Sequence, residues 1–253
     1  MKTALITGAS AGLGVQFVTQ LKTNFPEIEE VWLIARRRDR LEAIANKHKE
    51  QFASHILPLD LCSPDSYDAL RTELEERKPD VALLINNAGC GYLGNVHESD
   101  LAKQTRMTDL NVTALTAVTT LVLPYMSRGS HIINVSSISS FCPNPRMTVY
   151  SSTKAYVSSF TRGLSEELRS EGIVVTATCP GPMDTEFLDI AGISGNSKTF
   201  DMLPRCIDSN VVSGVYRAAK SGKVFHTPKG FFKFFRIIAK ILPQSLMVKF
   251  TKT

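Results

Sequence analysis

The sequence predicts an α/β protein, a single domain built on a doubly wound parallel sheet with helices on both faces. Short apolar runs rich in β-branched residues alternate with longer segments of helical periodicity, as expected for strands that are covered on both sides. The chain has 253 residues, 43% of them hydrophobic, which is enough to bury one such core. Right-handed crossovers then bring the carboxyl ends of the strands to one edge, where a ligand cleft is expected.

This alternation assigns each element in order along the chain. The predicted strands are 3–7, 31–35, 55–60, 81–87, 131–137 and 173–180. The predicted helices lie at 13–23, 38–51, 64–77, about 99–126 and 150–170. We assign residues 1–228 to one domain. Residues 229–253 form a basic amphipathic extension.

The first strand runs into a glycine turn with the spacing Gly8-x3-Gly12-x-Gly14, and a helix follows. Gly8 permits the turn, Gly12 lets the backbone approach a pyrophosphate, and Gly14 lets the helix pack against the strand. The amides at the start of that helix favour phosphate groups. The spacing therefore predicts a dinucleotide site, and the alternative is a simple turn between a strand and a helix.

The second strand ends in three consecutive arginines, the first of which, Arg36, lies 22 residues past Gly14. An acid at about this distance would hold the ribose 2′-hydroxyl of NAD, whereas arginine suits a 2′-phosphate through its charge and its planar fork. Arg36 and Arg37 therefore predict NADP(H) in preference to NAD(H). The alternative is a solvated helix start, and Arg38 and Arg40 are expected to face solvent.

Tyr150 and Lys154 stand four residues apart at a predicted helix start, so their side chains share one face of the helix. An ammonium group there would lower the pKa of the phenol from about 10 towards neutrality and make Tyr150 a usable acid or base. Ser137 ends the preceding strand, at the edge where the cofactor is expected. Other serines nearby have different offsets from the tyrosine and are not expected to take part: Ser136, Ser139 and Ser140.

With these motifs, residues 3–187 resemble the short-chain dehydrogenases/reductases in their single-domain form, which implies a Rossmann-like fold. The stretches TGASAGLG, NNAG and YSSTK carry the resemblance. The absence of a basic residue before Gly12, and a cysteine after Leu61, depart from a common NADP pattern. The resemblance implies that the cofactor contacts Gly8, Ser10, Gly12, Leu13, Gly14, Arg36, Arg37, Asp60, Leu61, Asn87, Ala88, Gly89, Tyr150, Lys154, Pro180, Gly181 and Thr185.

The resemblance also implies a mechanism. NADPH delivers hydride to a carbonyl carbon, Tyr150 protonates the carbonyl oxygen, and Ser137 hydrogen-bonds that oxygen. Lys154 binds the nicotinamide ribose and lowers the pKa of the tyrosine, and Asn111 holds a water in a proton relay. A homodimer or homotetramer is implied, formed through the helices that bear Asn111 and Tyr150.

The substrate is expected to be a lipid-like ketone or secondary alcohol, as for a hydroxysteroid dehydrogenase. The alternatives are a 3-oxoacyl reductase and, from another class, a catalytically silent nucleotide-sensing protein. Residues 1–228 are the expected dinucleotide-binding and catalytic domain, in which residues 139–149 and 183–210 are expected to select the substrate. The second stretch, at about 183–210, is expected to form a mobile lid over an apolar pocket. The bulky residues of the second stretch equally suit ordinary core: Met183, Phe187, Leu188, Ile190, Phe200, Met202 and Leu203.

Charge and cysteines exclude several classes of protein. The net charge is +5, but residues 229–253 hold six Lys or Arg and no acid, so the rest of the chain is nearly neutral and no nucleic-acid partner is expected. The five cysteines include no CxxC pair, and no His/Cys group has metal-ligand spacing. We therefore expect reduced thiols, a cytoplasmic location and no metal site.

No apolar run approaches the roughly 20 residues that cross a bilayer, and no secretory signal is expected. Residues 229–242 predict a helix with its basic residues on one face and Phe and Ile on the others. Such a helix suits peripheral contact with an anionic membrane, a cover over the substrate entrance, or a contact with a partner subunit. The basic residues are Lys229, Lys233, Arg236 and Lys240.

Overall fold

The computed structural model describes residues 1–252, with every side chain except those of Lys198 and Thr199. Thr253, the last residue of the predicted extension, lies outside the described residues. The strands in the described part are β1 (Lys2–Thr7), β2 (Glu30–Ile34), β3 (Ala53–Leu57), β4 (Asp80–Asn86), β5 (Met126–Val135), β6 (Val174–Thr178) and β7 (Phe225–His226). They form one all-parallel sheet in the order β3-β2-β1-β4-β5-β6-β7, which confirms the predicted doubly wound sheet.

Helices connect the strands and cover both faces of the sheet. They are α1 (Leu13–Asn24), α2 (Arg38–His48), α3 (Asp65–Arg77), α4 (Leu101–Thr108), α5 (Ala114–Val122), α6 (Thr148–Glu167), α7 (Glu186–Ile190), α8 (Lys198–Met202), α9 (Asp208–Lys220), α10 (Gly230–Ile241) and α11 (Gln244–Phe250). A π-helical turn, Asp109–Thr113, joins α4 to α5. A single turn of 3₁₀-helix, Ile138–Ser140, follows β5.

The core has two layers because successive side chains of a strand point to opposite faces. Ile6 of β1 belongs to the layer that includes Phe17 of α1 and Tyr216 of α9. Its neighbour Leu5 belongs to the other layer, with residues of α3, α5 and α6. The buried hydroxyl of Tyr216 donates to the carbonyl of Phe17 at 2.8 Å, which ties α9 to α1. The continuous apolar runs that predicted the strands are thus explained by burial on both faces.

Several elements differ from the sequence prediction. The helix expected over about 99–126 is divided by the π-helical turn, and β5 begins at residue 126 rather than 131. Helix α9 and strand β7 were not predicted, although α9 buries Val211, Val215 and Ala219 at helical spacing. The C-terminal extension packs on the domain, because Phe232 of α10 is fully buried in the main core.

The fold requires a glycine at position 14, and this requirement is testable. A Cβ added there would collide with the carbonyl oxygen of Gly8, which is rigid backbone. We expect Gly14→Ala to lower the free energy of unfolding by about 1–3 kcal/mol, as overpacking does, measured by urea denaturation. Gly163→Ala in α6 is the matched control, because its Cβ would meet no atom within 4 Å. If the two variants had the same free energy of unfolding, the close contact between Gly14 and the Gly8 carbonyl would be contradicted.

Candidate active site

An open cleft of about 340 Å³ lies where the strands end. Its walls come from the loops that follow β1 to β6, so it occupies the carboxyl edge of the sheet, as predicted. The predicted site residues that line it are Gly8, Ser10, Gly12, Leu13, Arg36, Arg37, Asp60, Leu61, Asn87, Ala88, Gly89, Ser137, Tyr150, Lys154, Pro180, Gly181 and Thr185. Gly14 and Asn111 lie behind the lining and position it.

The glycine turn is held by the loop after β4. The side-chain amide of Asn87 donates to the carbonyls of Thr7 and Gly8 at 3.0 and 3.1 Å. The Thr7 hydroxyl accepts the backbone N–H groups of Asn87 and Ala88, each at 3.0 Å. Gly8 has φ +66°, and a Cβ there would lie 2.9 Å from the Cα of Ala88. Asn87 and Ala88 therefore fix the shape of the turn.

The start of α1 fits an anionic group. Its N-cap, Gly12, has φ +51° and supplies no side-chain cap, and the first turn of α1 contains no acid. A Cβ at Gly12 would meet only Thr185, at 3.6 Å, so the backbone there is open to a ligand. Gly12 and Leu13 line the cleft. Uncapped amides at a helix N-terminus bind phosphate, so these residues fit the pyrophosphate of a dinucleotide.

Basic side chains collect at the end of the cleft beside β2. Arg37 pairs with Glu186 of α7 at 3.2 Å, and its other terminal nitrogen lies 3.4 Å from the hydroxyl of Ser10. Arg40 pairs with the second oxygen of Glu186 at 2.7 Å, and its side chain remains 42% exposed, so it is a surface residue that also makes an ion pair. These two hydrogen bonds lower the pKa of Glu186. Arg36 lines the cleft and has no ion-pair partner within residues 1–252.

Asp60 is tied into the same end of the cleft. Its carboxylate accepts the backbone N–H of Cys62 at 3.2 Å and the guanidinium of Arg106 at 3.2 and 3.3 Å. Burial alone would raise the pKa of Asp60, but these hydrogen bonds outweigh it and lower the pKa. Sequence reasoning missed Arg106, because nothing in the pattern of α4 distinguishes it from a solvated helix residue.

Ser137, Tyr150 and Lys154 meet where β5 ends and α6 begins. The Nζ of Lys154 donates to the carbonyl of Val135 at 2.8 Å and lies 5.8 Å from the centre of the Tyr150 ring. The Ser137 hydroxyl donates to the hydroxyl of Ser139 at 3.3 Å and accepts the N–H of Ser139 at 3.2 Å. All three residues of the predicted set are buried side by side at the cleft.

Burial shifts the pKa values of Tyr150 and Lys154 in opposite directions. It raises the pKa of Tyr150 to about 12, against a lowering effect of the hydrogen bond with Ser137. It lowers the pKa of Lys154 to about 8. The prediction that Lys154 lowers the pKa of Tyr150 is wrong for this structure, because burial dominates and the ammonium group points to Val135. Tyr150 is consequently a protonated phenol at neutral pH, which suits a proton donor.

Asn111 lies in the π-helical turn and is buried. Its side-chain amide donates to the carbonyl of Cys90 at 2.8 Å and to the hydroxyl of Thr153 at 3.0 Å, and its oxygen accepts the N–H of Cys90 at 2.9 Å. Asn111 therefore joins the loop after β4 to α6, which it reaches at Thr153, the residue before Lys154. A Cβ on Gly89 would lie 3.1 Å from the Asn111 oxygen and 3.3 Å from the Lys154 Nζ, so both polar atoms border one point.

The segment predicted as a lid, at about 183–210, carries apolar side chains over the end of the cleft that holds Tyr150. The ring of Phe187 in α7 lies 5.6 Å from the ring of Tyr150, centre to centre. Leu188 and Phe200 pack with Tyr150 in a buried cluster and also line the cleft. These bulky residues thus serve both as pocket wall and as core. Met202 is 86% exposed and belongs to neither.

Helix α10 supports the opposite wall. The carbonyl of Pro180 accepts the N–H of Ile138 at 3.0 Å, which joins the loop after β6 to the loop after β5. A Cβ on Gly181 would collide with the ring of Phe232, so α10 packs directly against this wall. Within the part of the chain that the structure describes, no group of His, Cys, Asp or Glu is arranged to hold a metal ion, and no helix is long and apolar enough to cross a membrane.

Comparison with known proteins identifies the architecture. A family model described as short chain dehydrogenase matches residues 2–191. The chain belongs to the short-chain dehydrogenase family. The matching family model is that of dehydrogenases, and relatives of the chain are named as reductases or oxidoreductases.

Two curated relatives are similar over most of the chain. The human very-long-chain 3-oxoacyl-CoA reductase is 32% identical over 186 residues, which cover 70% of this chain and 58% of that protein. The match thus spans less than two thirds of the relative's own length. An uncharacterized oxidoreductase of Staphylococcus aureus is also 32% identical over 186 residues, covering 73% of this chain and 79% of that protein.

Solved structures share the whole fold. A short-chain dehydrogenase from Sphingobium yanoikuyae in complex with NADPH is 28% identical, with a TM-score of 0.81 over 98% of this chain and 95% of that one. A 7beta-hydroxysteroid dehydrogenase has a TM-score of 0.82 over 99% and 96% of the two chains, at 16% identity. The second likeness concerns the fold alone.

Proposed function

We propose that this oxidoreductase transfers hydride between NADP(H) and a ketone or secondary alcohol, with Tyr150 as the proton donor. The observation that carries the proposal is the convergence of Ser137, Tyr150 and Lys154 at the cleft edge. The nicotinamide supplies or accepts the hydride when it is bound. The side chains of the cleft hold the reactants, stabilise charge and move the proton.

Each member of the set has a distinct task. Tyr150 donates the proton of its hydroxyl to the carbonyl oxygen, which its high pKa permits at neutral pH. Ser137 hydrogen-bonds the same oxygen and stabilises the charge that develops there. Lys154 holds the nicotinamide ribose through its Nζ. Asn111 is a positioning residue in this scheme, and the relay water expected from the sequence stays a prediction.

The adenosine end of the cleft supports a preference for NADP(H). Arg36 and Arg37 line this end of the cleft, the hydroxyl of Ser10 lies beside Arg37, and Arg40 adjoins them through Glu186. Guanidinium groups bind phosphate in a bidentate manner, and a 2′-hydroxyl needs no such charge. The related Sphingobium enzyme is in complex with NADPH. The uncapped start of α1 completes the cofactor site at the pyrophosphate.

The reacting end favours an apolar, lipid-like substrate. Phe187, Leu188 and Phe200 present hydrocarbon surface beside Tyr150. A 3-oxoacyl substrate is the second candidate, because the human relative is a very-long-chain 3-oxoacyl-CoA reductase. A catalytically silent nucleotide sensor is disfavoured, since the predicted proton donor and its two partners are all in place at the cleft.

Helix α10 is proposed to contact an anionic membrane surface. One face, with Phe232 and Ala239, is buried against the domain. The opposite face exposes a row of large apolar side chains at helical spacing, flanked by Lys233 and Lys240. The exposed side chains are Phe231, Phe234, Ile237 and Ile241. This combination of apolar row and lysine flank is typical of helices that lie in a membrane interface.

Charge favours a lipid surface over a second copy of the chain. The segment 229–253 holds six basic residues and no acid. Two such segments placed face to face would bring like charges together without counter-charges. An anionic lipid surface instead attracts each lysine or arginine near it. Because Phe232 of α10 also packs on Gly181, membrane contact would occur next to the cleft wall.

Tyr150→Phe tests the proton donor. We expect turnover to fall by about 10³-fold or more, since the phenylalanine keeps the ring and loses the proton. Binding of NADPH, followed by fluorescence titration, should stay unchanged. Tyr92→Phe is the matched control, because Tyr92 also lines the cleft but lies outside the catalytic set. Retained turnover in Tyr150→Phe would remove Tyr150 from the mechanism.

Arg36→Asp combined with Arg37→Ala tests the cofactor preference. We expect the ratio of kcat/KM for NADPH to that for NADH to fall by about 100-fold, because two charged contacts to a 2′-phosphate are lost. Arg38→Ala is the control, since Arg38 pairs only with the exposed Glu42 on the helix surface. An unchanged ratio in the double variant would mean that these arginines do not contact the 2′-phosphate.

Vesicle sedimentation tests the membrane contact. The native chain should sediment with vesicles rich in phosphatidylserine and not with neutral phosphatidylcholine vesicles. The combined change Phe231→Ser, Phe234→Ser and Ile241→Ser should abolish this binding and leave the buried Phe232 in place. Met202→Ser removes an equally exposed apolar side chain elsewhere and should have no effect. Equal binding by native chain and triple variant would contradict the proposal.

A further inference from the structure

The carboxylate of Glu186 is held between two arginines from the other side of the cleft. Its two oxygens lie 3.2 Å from a terminal nitrogen of Arg37 and 2.7 Å from one of Arg40. Both arginines come from the start of α2, whereas Glu186 is the first residue of α7 in the lid. The interaction therefore bridges the adenosine end of the cleft and the lid.

A carboxylate between two guanidinium groups occupies a place that a phosphate could take, because both anions present oxygen pairs that accept from the guanidinium fork. We propose that Glu186 is a built-in competitor for the 2′-phosphate of the cofactor. A nucleotide with a 2′-phosphate takes the guanidinium groups of Arg37 and Arg40 from Glu186, and the start of α7 is released. This inference rests on the proposed preference for NADP(H).

The strengths of the interactions permit this exchange. The side chains of Glu186, Arg37 and Arg40 are 47%, 39% and 42% exposed. Ion pairs at such exposure are weak and are screened by salt. A phosphate monoester carries a charge of about −1.5 to −2 and three acceptor oxygens, so it competes well with a single carboxylate. Arg36, which has no ion-pair partner in the described chain, adds attraction for the phosphate only.

Release of Glu186 reaches the reacting end through the next residue. The ring of Phe187 lies against the ring of Tyr150, 5.6 Å between centres. A Cβ on Gly91 would lie 2.7 Å from the Phe187 ring and 3.0 Å from the Tyr150 ring, so the three residues form one tight contact. Helix α7 is only five residues long, so a displacement of Glu186 moves Phe187 with it.

Contacts run from Arg37 through Glu186 and Phe187 to Tyr150. Through them, the lid responds differently to NADP(H) and to NAD(H). NADP(H) displaces Glu186 and frees the space beside the Tyr150 hydroxyl for the substrate. NAD(H) has no 2′-phosphate, so it leaves α7 attached to α2 even when it binds. Glu186 is thus a specificity-determining residue, which decides which cofactor opens the lid.

Calorimetric titration with nucleotide fragments tests the competition. The probes are adenosine 2′,5′-bisphosphate and adenosine 5′-monophosphate, which differ by the 2′-phosphate alone. Glu186→Gln should bind the bisphosphate about three- to tenfold more tightly, as expected for the loss of two exposed ion pairs, and the monophosphate equally well. Asp184→Asn is the matched control: it removes one negative charge from the same segment, two residues away, where the carboxylate pairs with Arg205 instead.

Hydrogen–deuterium exchange tests the release of the lid. The N–H of Leu188 donates to Thr185 and that of Ala191 to Phe187, so both amides report on α7. The bisphosphate should accelerate their exchange in the native chain, whereas the monophosphate should not. In Glu186→Gln these amides should exchange fast before any nucleotide is added.

The outcomes separate this inference from the proposed cofactor preference. If the native chain binds both probes equally, the NADP(H) preference fails and the competition fails with it. If the native chain prefers the bisphosphate but Glu186→Gln binds it no more tightly, only the competition is overturned. Protection of the α7 amides by the bisphosphate would overturn the release of the lid.

Discussion

The glycine turn after β1 lies in direct contact with the loop after β4, and the geometry of the whole cleft depends on that contact. Gly8 has no room for a side chain because Asn87 and Ala88 lie against it, and Gly14 has none because the Gly8 carbonyl lies against it. The amide of Asn87 holds the turn from the other side. The same loop continues to Cys90, which Asn111 ties to α6. The cofactor end and the reacting end are therefore parts of one hydrogen-bonded unit.

Features with a local pattern could be predicted from the sequence. Apolar runs predicted the sheet, and the parallel order brings every strand end to one edge, so Gly8 and Ser137 meet across the cleft although 129 positions separate them. Contacts between polar side chains that lie far apart in the sequence leave no pattern in that sequence. Nothing near Arg106 indicates that it binds Asp60, and nothing near Glu186 indicates that it binds Arg37 and Arg40. The prediction of a lowered pKa for Tyr150 was also wrong, because the spacing of two residues along a helix does not tell how deeply they are buried.

Burial divides the cleft into two electrostatic zones. At the reacting end it moves the pKa of Tyr150 up to about 12 and that of Lys154 down to about 8, so it favours the uncharged form of each group. At the other end, beside β2, the side chain of Arg36 is exposed and those of Arg37 and Arg40 are partly exposed. A ligand that carries phosphate at one end and an apolar group near the other would match both zones. The zones follow from depth, since the reacting end is covered by the lid and the arginines stand at the rim.

The lid and the C-terminal helix act on the reacting end from opposite sides. Helix α7 approaches through Phe187, which contacts Tyr150, and its position is coupled to the arginines through Glu186. Helix α10 approaches through Phe232, which contacts Gly181, and its outer face is apolar and basic. The pairing of subunits through the helices that bear Asn111 and Tyr150 stays a prediction. Under the proposed competition, α7 is the wall that yields to a 2′-phosphate because exposed ion pairs hold it, whereas a buried aromatic ring holds α10 beside the cleft.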